Sequence, residues 1–109
     1  GYIDKANEKT AISEARNVVT AAQTIASESY ALSSGSAVTV DPDEVLILAD
    51  LCTVTKKADG TEEVTPNGSA ELGSIVVTNG KITELNYTTT KGYIVKYTNG
   101  SFEIKSKAS

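Results

Sequence analysis

The chain has 109 residues, a net charge of −4 and a pI of about 4.7, with 39% hydrophobic and 22% charged residues. That is one domain's worth of a globular protein with a real core. The acidic balance argues against a nucleic-acid partner, because phosphate binding needs a concentrated positive face, and Lys56-Lys57 is too short to supply one. There is no histidine, which removes Ser-His-Asp chemistry and most zinc sites, and the single cysteine, Cys52, allows no intrachain disulfide.

The first predicted element is one long helix, over residues 1–33. It has no proline and no glycine after Gly1. At 100° per residue, Ala11, Ile12, Ala15, Val18, Val19, Ala22, Ile25, Ala26 and Tyr30 share one side. Arg16, Thr20, Gln23, Thr24 and Ser27 fall on the other and are expected to face solvent. Continued backward, the stripe meets Asp4 and Glu8, so the stretch 2–10 has no core-facing side of its own. Gly35 offers a left-handed end to the helix.

Residues 34–73 connect this helix to a β-rich C-terminal third. Asp41-Pro42-Asp43-Glu44 is a helix start: Asp41 caps, Pro42 suits the first helical position, and Glu44 sits three residues after the cap. The same acids lack the ligand number and turn glycine of a calcium loop. The helix is expected over about 42–52, apolar on most sides and largely buried. Cys52 reads as a small buried hydrophobe. Residues 53–56 and 61–64 flank Asp59-Gly60 as an exposed hairpin, and 70–72 as one helical turn.

From residue 74 to 106 the pattern becomes four short runs, 75–78, 81–89, 93–98 and 101–106, which read as an antiparallel meander. Asn79-Gly80 and Asn99-Gly100 suit two-residue type I′ loops. A two-residue loop at Asn99-Gly100 pairs Tyr97 with Phe102, Val95 with Ile104 and Lys96 with Glu103. A three-residue loop, Thr90-Lys91-Gly92, then places Leu85 and Tyr87 on the same face as Tyr93, Val95 and Tyr97. The first hairpin fits only with a bulge near Thr83-Glu84, or with a cover over its outer face, for which the helix at 42–52 is the natural candidate. The fold class is therefore α+β, a long N-terminal helix on a four-stranded antiparallel meander. The helix–sheet core is expected from Ile12, Ala15, Val19, Ala22, Ala26, Leu85, Tyr87, Tyr93, Val95, Tyr97, Phe102 and Ile104.

This order of elements, with Tyr2-Ile3-Asp4-Lys5-Ala6 followed by Ala11-Ile12-Ser13-Glu14-Ala15-Arg16-Asn17-Val18-Val19-Thr20-Ala21-Ala22, resembles the type IV pilins and pseudopilins from the second half of their first helix onward. The resemblance implies an apolar, membrane-embedded half-helix upstream, opening on a processed and methylated residue. It also implies assembly with other copies and with minor pilins into a cell-surface filament for adhesion, motility or biofilm formation. One cysteine forbids the C-terminal disulfide of Gram-negative members and favours a Gram-positive pilin. On this reading the stretch 2–10 faces neighbouring subunits through Tyr2, Asp4, Lys5, Glu8 and Lys9, and Lys5→Glu leaves the isolated domain folded. No enzyme, cofactor or metal site is expected: no phosphate loop and no carboxylate pair in an apolar setting is present. The alternatives are a pseudopilin of a type II secretion or DNA-uptake system, and a free-standing adhesin-type binding module using Tyr93, Tyr97 and Phe102. The tight Asn99-Gly100 turn argues against a pseudopilin calcium loop, and the acidity against DNA uptake.

Overall fold

A computed structural model describes residues 2–32 and 38–107, with side chains from 7–32 and 38–105. The proposed end of the first helix at Gly35 lies outside the described residues. The fold is α+β: helix α1 (Tyr2–Leu32), helix α2 (Pro42–Leu48), a two-stranded ribbon of β1 (Cys52–Lys56) and β2 (Glu62–Pro66), and a four-stranded sheet of β3 (Glu71–Thr78), β4 (Lys81–Thr88), β5 (Tyr93–Thr98) and β6 (Ser101–Lys107). The sheet is an antiparallel meander in the order β3-β4-β5-β6.

Turn chemistry sets the register. Asn79 and Gly80 (φ 52° and 77°) and Asn99 and Gly100 (43° and 96°) both take positive φ, as type I′ loops require. They close Thr78 on Lys81 and Thr98 on Ser101. At the middle turn Thr89 N–H donates to the Tyr93 carbonyl, Gly92 N–H to the Thr89 carbonyl, and Tyr93 N–H to Thr89 Oγ1. This is the three-residue loop, and it pairs Leu85 with Tyr97 and Tyr87 with Val95. Tyr97 and Phe102, and Val95 and Ile104, are cross-strand partners in the last hairpin. The Tyr97 and Phe102 rings sit 5.0 Å apart at 51°.

In the first hairpin Val76 pairs with Glu84 but Val77 with Ile82, so Thr83 is bulged out. A second irregularity between Leu72 and Ile75 returns Leu72 to Tyr87. These shifts turn Leu72, Ile75, Val77 and Ile82 toward the core and leave Val76 42% exposed on the outer face. Of the two solutions open from the sequence, the bulge is the one present. Helix α2 does not cover that face: it packs against α1 and the ribbon.

Helix α2 is also shorter than expected. Asp41 Oδ1 accepts the N–H of Asp43 at its start. At its end Asp50 takes φ 60°, with Asp50 N–H donating to the Ile47 carbonyl and Leu51 N–H to that of Leu46. This is a Schellman closure with aspartate, rather than glycine, in the left-handed position. It stops the helix at Leu48 and frees Cys52 to begin β1. A helix this short buries one side only: Val45, Leu46 and Ala49 are inside, whereas Ile47 and Leu48 are about half exposed. The turn expected at 70–72 is the start of β3 instead.

The core lies between α1 and the inner sheet face. Ala11, Ala15, Val18, Val19, Ala22 and Ala26 are buried on the helix, and Ile82, Leu85, Tyr87 and Val95 on the sheet. Tyr93, Tyr97, Phe102 and Ile104 are partly buried against them. Four of the six helix residues are alanines, so the backbone can lie close to the sheet, in keeping with a molecule 48 × 39 × 17 Å in extent. Ile12 is only half-buried at the margin, and Ala21, outside the expected stripe, is buried.

Candidate functional site

The chemistry-bearing side chains of α1 are those that fix it to the rest of the fold. Glu14 is a polar residue at the edge of the apolar stripe. Its Oε2 accepts from Tyr87 Oη at 2.6 Å and from Thr90 N–H at 2.7 Å, and its Oε1 from Thr90 Oγ1 at 2.9 Å. One carboxylate thus holds the C-terminal end of β4 and the β4–β5 turn. Asn17 Nδ2 donates to the Ala49 carbonyl at 2.9 Å, tying α1 to the end of α2. Gln23 Nε2 donates to the Gly80 carbonyl and its Oε1 accepts Ile82 N–H, both at 2.9 Å.

The last contact is a consequence of the strand lengths. Pairing between β4 and β5 begins at Glu84, so the N–H of fully buried Ile82 lies beyond it and needs another partner. Gln23 is therefore a sheet contact, not the solvent-facing residue that periodicity implied. The Thr83 carbonyl, next in the β4–β5 register beyond Glu84 and Thr98, is taken by Asn99 N–H at 3.0 Å. Beside Gln23 the ring of Tyr30 closes over Gly80, where a Cβ would lie 2.6 Å from Tyr30 Cγ. Glu14 and Gln23 stand about 13 Å apart along the helix axis, so α1 is pinned at both ends of its contact with β4.

Tyr87 is almost fully buried. Burial first, and then the hydrogen bond to Glu14 and its negative charge, hold the phenol well above its ordinary value of 10.0. The native state keeps a proton that the unfolded chain releases above pH 10, so stability is full below that value and falls as pH rises past it. Alkaline titration monitored by circular dichroism is expected to show unfolding with an onset near pH 10. Tyr87→Phe, less stable at neutral pH, loses less of its stability over that rise.

Cys52 is half-buried. Burial, with lesser help from Asp43 and Asp50, raises its thiol pKa, so it remains a neutral thiol rather than a nucleophile. Among the described residues no group of three His, Cys, Asp or Glu is placed to hold a metal ion. No helix there is long and apolar enough to cross a membrane.

Of the expected interface residues, Glu8 and Lys9 are exposed on α1. Tyr2, Asp4 and Lys5 lie on the helix, but their side chains are outside the described ones. Within the stretch 2–10, Asn7 and Thr10 line a small crevice with Thr90, Lys91 and Tyr93, so part of it already meets the domain. A second, open groove of about 510 Å³ runs between one flank of α1, from Val19 to Glu28, and Tyr97. At the neighbouring flank the Arg16 guanidinium stands over the Phe102 ring, 5.4 Å from its centre.

Charges elsewhere form exposed pairs. Lys57 meets Glu63 at 3.2 Å across the ribbon. Lys96 lies opposite Glu103 in register, yet its ammonium goes to Glu84 on β4, 3.1 Å away, while Glu103 approaches Lys105 on its own strand. Each is worth at most about 1 kcal/mol at such exposure.

No family model, curated protein or solved structure matches the chain.

Proposed function

We propose that this domain is the head of a type IV pilus subunit, a structural component that assembles non-covalently with its own copies and with minor pilins into a filament on the cell surface. The observation that carries the reading is the way a 31-residue helix is fixed on a four-stranded meander. Apolar burial is non-directional and lets a helix slide along its own axis. Directional bonds from Glu14 and Gln23 set its axial position against the sheet, and Asn17 sets it against α2. A subunit pulled through its helix needs that property, since tension reaches the head only if helix and sheet move together.

On this reading the first turns of α1, with Glu8 and Lys9 exposed, meet neighbouring subunits. An upstream apolar half-helix serves as membrane anchor before assembly and as filament core after it. The gene tests this directly. Upstream of Tyr2 it should encode a charged leader, a prepilin cleavage site and about 20 apolar residues; a start codon or an unrelated domain there rules the proposal out.

A binding module is the second reading, favoured by the groove beside Tyr97. It requires a ligand whose binding is lost in Tyr97→Ala while filament assembly, if any, is unaffected.

A further inference from the structure

The chain holds three Asn-Gly dipeptides, at 67–68, 79–80 and 99–100. We propose that Asn99 is a site of spontaneous deamidation, selected from the three by the fold, and that its conversion loosens the tip of the β5–β6 hairpin beside the Tyr97–Phe102 pair.

The reaction needs only hydroxide and water. The Gly100 backbone nitrogen loses its proton and attacks Asn99 Cγ. A carbon–nitrogen bond forms, and the side-chain amide nitrogen takes up a proton and leaves as ammonia. Water then opens the five-membered succinimide at either carbonyl, giving aspartate or isoaspartate. Glycine in the next position leaves the nucleophile sterically open. Ring closure requires the Asn backbone to rotate out of its turn, so the rate tracks the ease of local opening.

The three turns differ in what opening breaks. At Asn79-Gly80 the glycine is buried, its carbonyl accepts Gln23 Nε2, and the Tyr30 ring lies against it. At Asn67-Gly68 the glycine backs onto the Thr90 main chain, and the flanking bonds from Asn67 N–H to Leu51 O, Ser69 N–H to Thr90 O and Ala70 N–H to Asn67 O hold the turn. At Asn99-Gly100 both residues are exposed, and a Cβ at Gly100 would meet nothing within 4 Å. The bond from Asn99 N–H to Thr83 O secures the strand leading into the turn, on the far side of the reacting linkage. Opening this tip breaks the β5–β6 pairing beside the turn and the Asn99–Thr83 bond, with nothing packed against the open side of the glycine.

The product adds a negative charge at the turn. As isoaspartate it also inserts a methylene into the main chain, which a two-residue type I′ loop closing Thr98 on Ser101 cannot accommodate. The test is incubation of the folded chain at mildly alkaline pH, then peptide mapping that resolves aspartate from isoaspartate. Asn99 is expected to convert roughly tenfold or more faster than Asn67 and Asn79. In urea, with the chain unfolded, the three should convert at similar rates. Gln23→Ala should speed Asn79 and leave Asn99 unchanged. Conversion of Asn99 no faster than Asn79 in the folded chain, or a difference that persists in urea, overturns the proposal.

Discussion

Replacing Glu14 with alanine is expected to cost about 3–5 kcal/mol, a large fraction of the stability of a domain of this size. The carboxylate accepts three hydrogen bonds, and bonds to a charged group are each worth about 1.5–3 kcal/mol. The variant also leaves the buried Tyr87 hydroxyl and the Thr90 N–H without acceptors, which carries its own desolvation penalty. In thermal denaturation the midpoint should fall by about 15 °C or more. Glu14→Gln, which keeps the shape and an accepting oxygen, should fall between the two. A Glu14→Ala protein as stable as the parent would mean that the clamp is not what holds α1.

The second large effect is Val18→Asp. Val18 has no exposed surface. An aspartate there must either stay charged without a partner or take up a proton, at a cost of about 3–5 kcal/mol before lost packing is counted. The expected result is loss of near-ultraviolet circular dichroism and of a cooperative transition. Val19, adjacent in the stripe, is a milder site because it also lines the groove beside Tyr97. Thr24→Asp, on the exposed flank of the same helix, should change stability by no more than about 0.5 kcal/mol. A folded Val18→Asp protein would mean that the face of α1 has been assigned wrongly.

The parts of this fold that were legible in the residues are those governed by local chemistry. Asn-Gly permits two adjacent positive φ angles, and Gly92 permits one, so the turn residues alone fix both turn types and the pairing from β4 to β6. The apolar stripe of α1 was equally readable, since 3.6-residue periodicity reports which side is buried. What periodicity does not report is a polar side chain at the stripe's edge that bonds to the sheet. Glu14, Asn17 and Gln23 look like any other surface residues until Thr90, Ala49 and Ile82 are brought opposite them. The place of α2 was missed for a related reason: its apolar residues declared that it covers something, and only the tertiary packing decided that the something is α1 and the ribbon. Its end was misread because aspartate, an ordinary residue in a helix, takes the left-handed position at 50 usually held by glycine. Lys96 shows a similar limit. The backbone register placed it opposite Glu103, but a long side chain on a central strand can choose either neighbour, and it chose Glu84.

Because α1 is held to the sheet by directional bonds, the filament reading makes its most direct prediction on intact cells. Antibodies raised against the folded domain, visualised with gold particles by electron microscopy on cells carrying the gene, should label filaments along their length. The label should vanish when the gene is deleted. Filaments that carry no label, or label confined to the cell body, would contradict the assignment of this domain as a filament subunit.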